Sequence, residues 1–177
     1  MEKRRSATLL FIGDSLIEYF DWEKRFPGHT VYNLGVSGET VGGLRARLNR
    51  IMAHILPPDK VFIMTGINNL AMGDSHILDE YRDIVRQIYS SYPVAAIYVQ
   101  SLLPVIFPYI TNEDIRKMNS TLRDMAAEQG AFFLDLHALF IDEKEKPIAA
   151  YLLDDGVHVS DAGYHIWSAA VERLLRD

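Results

Sequence analysis

Cysteine is absent from all 177 residues of this sequence. That excludes disulfides, thiolate-ligated metal and a cysteine nucleophile, so covalent chemistry falls to Ser, His, Asp or Glu. The absence leaves the compartment open, because a domain of this size buries enough apolar surface to fold without staples. Positive charge is also short: 18 Lys and Arg against 24 Asp and Glu give a formal charge of −6. Nucleic-acid binders usually present a basic face, so nucleic acid is not expected as a partner. Long apolar runs are missing too. After Glu2-Lys3-Arg4-Arg5 the apolar stretch from Ala7 to Ile12 is six residues, shorter than the roughly 7–15 of an export signal and far below the roughly 20 of a membrane span. A cytoplasmic protein with no integral membrane segment is the expectation.

What is present is a regular alternation of two patterns. β-Type apolar runs occur at Ala7 to Ile12, Thr30 to Leu34, Val61 to Met64, Ala95 to Val99 and Ala131 to Leu136. Between them lie helical patterns. One starts at Leu16 and must end by Pro27-Gly28. A second carries Leu44, Leu48, Ile51, Met52 and Ile55 and stops at Pro57-Pro58. A third spans Ser75 to Tyr92, and a fourth runs from a Thr111/Asp114 capping pair to about Gln129. The last, capped by Ser160 or Asp161, turns Tyr164, Trp167, Val171 and Leu174 inward. No repeat or linker divides the chain. Right-handed crossovers then predict one domain over residues 1–177, a three-layer α/β/α sandwich around a five-stranded parallel sheet.

In such sheets, reactions sit at the C-terminal ends of the strands. The first strand delivers Ser15 there, within Gly13-Asp14-Ser15-Leu16. A serine hydroxyl attacks well only when a base takes its proton, and His158 is the best-placed base. Asp155, on the same short loop, is the carboxylate to orient the imidazole, with Gly156 allowing the bend and Asp154 as the competing carboxylate. For a developing oxyanion, the Ser15 N–H, the Gly35 N–H and the Asn68 side-chain amide are the available donors.

These motifs, with Asn33-Leu34-Gly35-Val36-Ser37-Gly38, Gly66-Ile67-Asn68-Asn69 and Asp155-Gly156-Val157-His158, resemble those of the SGNH hydrolases, also called the GDSL esterase and lipase family. They stand in the family's order from residue 13 to 158. Asn69 departs from the usual Asp of the G-x-N-D block, and the G-x-N-N form is similar to the platelet-activating-factor acetylhydrolase branch. The resemblance implies a flavodoxin-like sheet and metal-free, cofactor-free hydrolysis of a small carboxylic ester or thioester through an acyl-Ser15 intermediate. The family spacing favours Asp155 over Asp154.

Each motif has a plainer reading: Asp14 and Ser15 as helix caps, Asn68 as a turn residue, Gly35 as a tight approach. Four such pieces at four strand ends favour chemistry. Ser37 almost completes a G-x-S-x-G elbow, but Glu39 breaks it, so Ser37 is expected to bond loop backbone. Asp14, Val105, Phe107 and His137 are candidate substrate contacts, with Ile106 and Tyr109 in the same apolar loop after the fourth strand. That loop should cover substrate, core or a second copy of the chain, which leaves a homo-oligomer open. Two other functions fit the same residues: an acyltransferase using the same acyl-enzyme, and a non-catalytic α/β binding module.

Overall fold

The computed structural model describes residues 6–176, so the Glu2 to Arg5 stretch weighed as part of an export signal lies outside them. Five strands, β1 (Thr8–Gly13), β2 (Thr30–Gly35), β3 (Lys60–Met64), β4 (Ala96–Gln100) and β5 (Phe132–Leu134), form one parallel sheet in the order β2-β1-β3-β4-β5. This is the doubly wound, flavodoxin-like order. β1, β3 and β4 are buried along almost their whole length, as helices on both faces of a parallel sheet require.

One row of side chains sets the register. Phe11 lies opposite Phe62, Phe62 opposite Tyr98 and Tyr98 opposite Phe132. Their rings stack at centroid separations of 4.8, 5.1 and 5.1 Å. Such pairs add about 0.5–1.5 kcal/mol each beyond their burial. A one-residue slip of any strand would turn its aromatic to the opposite face.

The helices are α1 (Ser15–Glu18), α2 (Trp22–Arg25), α3 (Val41–His54), α4 (Ile67–Ala71), α5 (Leu78–Ser91), α6 (Asn112–Glu128) and α7 (Asp161–Leu174). α1, α2 and α7 cover the aromatic face: Trp22 stacks on Phe11 at 4.2 Å and meets Trp167 edge-on, while Tyr164 donates its hydroxyl to Leu16 O. α3, α5 and α6 pack beside one another. Among the described residues no helix is long and apolar enough to cross a membrane.

Several boundaries differ from the sequence reading for local reasons. A separate α2 exists because Asp21 caps it, accepting from Lys24 N–H. α5 starts at Leu78 rather than Ser75, since Asp74 Oδ1 takes the His76 N–H and turns the chain first. α4 was not expected at all; it is a single turn following Gly66, whose φ is +121°. Thr111 and Asp114 do cap α6, and Ser160 rather than Asp161 caps α7.

Past Ser101, whose N–H still donates to Leu134 O, the chain leaving β4 belongs to no strand, and asparagines from α6 take the place of a neighbouring one. Asn119 accepts from Leu102 N–H at 2.7 Å and donates to Leu102 O at 2.9 Å. Asn112 does the same for Val105, at 2.9 and 2.8 Å. Asn119→Ala would leave a buried N–H and C=O without partners, a loss of about 2–4 kcal/mol. Urea denaturation should show that drop in the midpoint with the slope unchanged.

Candidate active site

The strand order reverses between β1 and β3, and the crevice outside their C-terminal ends is where this fold binds ligands. Ser15 follows β1 there and Asn68 follows β3. Asp14 ends the strand and caps α1, its Oδ1 accepting from Leu16 N–H at 3.0 Å. Ser15 thus opens the helix, where backbone N–H groups have no intrahelical acceptor. Its Oγ lies 3.0 Å from His158 Nε2.

His158 comes from the loop before α7. That loop is closed on itself by Leu153 N–H to His158 O and tied to the β4 exit by Ile106 N–H to Gly156 O, both at 2.7 Å. Gly156 has φ +70°, and a Cβ there would collide with the Ile106 carbonyl, so only glycine suits the position. Asp155 Oδ1 accepts the Val157 and His158 N–H groups, each at 2.9 Å, while Oδ2 lies 2.6 Å from His158 Nδ1. The imidazole is therefore paired with Asp155 and not with Asp154. Partial burial works against the Asp155 anion, but the two backbone bonds and the imidazole outweigh it and hold the carboxyl at about 2. An ionised carboxylate only accepts, so Nδ1 carries hydrogen and a neutral ring leaves Nε2 free to take the hydroxyl proton. The Tyr19 ring lies 5.2 Å from the imidazole, a neighbour the sequence did not flag.

Asn68 sits on α4 and donates one amide hydrogen to Glu39 O at 3.0 Å, which leaves its other hydrogen available. Asn69, the departure from the family block, has a visible use. Its Oδ1 accepts Val41 N–H at the start of α3 and its Nδ2 donates to Asp74 at 2.9 Å, a pair of roles an ionised aspartate could not fill. Gly35 ends β2 hard against the α1 backbone; a Cβ would come within 2.8 Å of Glu18 Cα. Its N–H touches Asn33 Oδ1 at 3.3 Å, a long bond for which a stronger acceptor would compete. Ser37 bonds the Tyr19 hydroxyl at 2.8 Å rather than loop backbone.

The candidate substrate contacts separate. Val105 is 3% exposed and belongs to the core, since Asn112 turns its backbone inward. Asp14 is fully buried beneath the serine and offers no surface to a ligand. His137 is also buried, its N–H held by Ser101 Oγ, and burial pulls its pKa down. Ile106 remains exposed beside the His158 loop, and Phe107 packs half-buried, edge-on to Tyr109 at 5.3 Å. Tyr109, 78% exposed, borders a cleft of about 680 Å³ with Leu70, Leu78, Ile110 and Met118. Ser15, His158 and Asn68 do not line that cleft.

The fold and this rim define a class, the carboxylic ester hydrolases. A family model of the GDSL-like lipase/acylhydrolase family matches residues 11–166, and the chain belongs to that family. It is 31% identical to an acetylxylan esterase of Geobacillus stearothermophilus over 84% of this chain and 73% of that protein. It is 26% identical to the platelet-activating factor acetylhydrolase IB subunit alpha1 of Bos taurus, over 98% of this chain and 77% of the relative. Among solved structures, a platelet activating factor candidate from Streptococcus pneumonia superposes with a TM-score of 0.87 at 26% identity, covering 97% and 85% of the two chains. The acetylxylan esterase Axe2 superposes at 0.75 and 27% identity, covering 98% and 96%.

Burial is the main force on the Asp14 carboxyl and, with the Glu39 charge, raises it to about 7 against the opposing Leu16 bond and His158. The unfolded chain releases this proton near 3.8. Across that window the folded state binds more protons, so stability falls as pH climbs through it. Asp14→Asn keeps the capping oxygen and removes the titration. Its melting temperature relative to wild type should rise between pH 5 and pH 8; a constant difference would show that Asp14 is ionised in the folded chain.

Proposed function

We propose that the protein is a serine esterase that cleaves small carboxylic esters through an acyl-Ser15 intermediate. The observation that carries this reading is the unbroken line from Ser15 Oγ to His158 Nε2 at 3.0 Å and from His158 Nδ1 to Asp155 Oδ2 at 2.6 Å. As Ser15 Oγ attacks the ester carbonyl, its proton passes to Nε2, and the Asp155 carboxylate steadies the resulting imidazolium. The carbonyl oxygen becomes an oxyanion facing the Ser15 N–H, the Gly35 N–H and the second amide hydrogen of Asn68. Collapse expels the alcohol, which takes the proton from Nε2. Water then attacks the acyl-serine by the same route and frees the acid.

Acetyl is the acyl group favoured here, because an acetylxylan esterase and a platelet-activating factor acetylhydrolase subunit are both close to this chain in sequence. The alcohol is taken to differ among relatives, as those two names indicate. Ile106, which bonds the loop carrying His158, and Phe107 and Tyr109 after it are the surface on which the alcohol would be distinguished.

Ser15→Ala should fold as wild type and lose nearly all hydrolysis of p-nitrophenyl acetate, since no cysteine exists to replace the nucleophile. Near-wild-type turnover in that variant would refute the acyl-Ser15 route. Asn68→Ala should lower kcat by roughly 10²–10³ with KM little changed, the signature of a donor used in the transition state. A loss confined to KM would assign Asn68 to ground-state binding instead.

A further inference from the structure

Two of the proposed oxyanion donors come from parts of the chain with no covalent reason to stay aligned: the end of β2 and the turn after β3. The Gly35 N–H shares one peptide unit with the Leu34 carbonyl. That unit is planar and trans, so holding its oxygen fixes the direction of its hydrogen on the opposite side. A glycine flanking the unit makes its rotation easier than any other residue would.

The β1–β2 ladder holds that oxygen from one side, Gly13 being paired with Gly35, and Arg47, on α3, is a second donor to it: its Nη2 donates to Leu34 O at 2.7 Å. The same guanidinium grips Glu39 through Nε to Oε1 at 2.5 Å and Nη2 to Oε2 at 2.7 Å. Glu39 in turn presents its backbone carbonyl to Asn68 Nδ2 at 3.0 Å. The ion pair is largely buried, with 16% of the Arg47 side chain and 7% of the Glu39 side chain exposed. One planar fork therefore reaches the Gly35 peptide directly and the Asn68 amide through one residue.

We infer that Arg47 is a positioning residue for the oxyanion hole: at the end of the β1–β2 ladder it adds a charged donor that fixes the tilt of the Leu34–Gly35 peptide and, through Glu39, aims the Asn68 amide. The inference rests on the acyl-Ser15 reading and adds a residue that touches neither the substrate nor the serine. Lysine could not replace it. A single ammonium has no rigid fork with which to meet a carboxylate in two places and a carbonyl in a third. The bond to Leu34 O also polarises the peptide, strengthening the Gly35 N–H as a donor.

A buried ion pair that merely stabilised the loop between β2 and α3 would have the same bonds, so the test must separate positioning from stability. Steady-state hydrolysis of p-nitrophenyl acetate is measured for wild type, Arg47→Met, Arg47→Lys, Asn68→Ala and the Arg47→Met/Asn68→Ala double variant, with melting temperatures alongside. Arg47→Met should lower kcat roughly 10²-fold while KM stays nearly constant, because the donors act in the transition state. Arg47→Lys should recover little of that loss. In the Asn68→Ala background the same change should cost only about tenfold, since part of what Arg47 aligns is already gone. Losses that simply multiply, or a folded Arg47→Met with near-wild-type kcat, would overturn the inference. Should Arg47→Met leave Glu39 unpaired and fail to fold, Glu39→Gln/Arg47→Met removes both charges and carries the same cycle. Ser15→Ala run in parallel keeps the two readings apart. An active Ser15→Ala defeats the acyl-serine route itself, whereas an inactive one with multiplying losses defeats only the role of Arg47.

Discussion

The row of stacked aromatics across β1, β3, β4 and β5 is the constraint on which the rim of the sheet depends. With Phe11, Phe62, Tyr98 and Phe132 level, the strand ends beyond them are level too. Gly13 then lies opposite Met64, and the turns carrying Ser15 and Asn68 start from the same height. A register shift in β3 would move Asn68 by about 3.3 Å along the strand, more than a hydrogen bond tolerates. Packing in the middle of the sheet thus sets geometry at its edge.

The His158 loop has no strand to level it and is anchored differently. α6 supplies Asn119 and Asn112, which hold both backbone groups of Leu102 and of Val105, and the next residue, Ile106, donates to Gly156 O. The imidazole is therefore placed by a sequence of backbone bonds that begins on a helix and ends in a loop. Each link is a neutral bond worth about 1 kcal/mol net, but leaving any one unmade inside the protein costs more. The arrangement is rigid because its alternatives leave buried groups unpaired.

These two modes of placement explain what could be read from the sequence. The strands, the sandwich and the order of the motifs were legible because each rests on local pattern: apolar runs, helical spacing, and turn residues at strand ends. The Asp155 to His158 pairing was legible for the same reason, both residues lying on one short loop. Val105, Asp14 and His137 were placed at the site by position along the chain. Their burial is decided by Asn112, by the α1 cap and by the packing after β5, none of which shows in the local sequence. α4 was missed since a single turn has no periodicity to detect. The Arg47 contacts to Leu34 and Glu39 could not have been read at all, because nothing in a helix sequence tells which loop its polar face will meet.

Charge near Ser15 follows a consistent logic under the proposed chemistry. An oxyanion forming beside the serine would be opposed by any anion in the low-dielectric interior, where charges repel far more strongly than in water. Asp14 is adjacent in sequence and wholly buried, yet burial keeps it protonated below about pH 7. Glu39 is buried and ionic but faces a guanidinium that bonds both its oxygens. Asp155, bound by two N–H groups and half exposed, carries its charge on the far side of the imidazole. The Asp155 charge is thus placed where it favours the imidazolium, while Glu39 is paired with Arg47 and Asp14 carries a proton below about pH 7. Arg47 serves both ends of the problem: it pairs the Glu39 carboxylate while bonding the peptide that presents one of the donors.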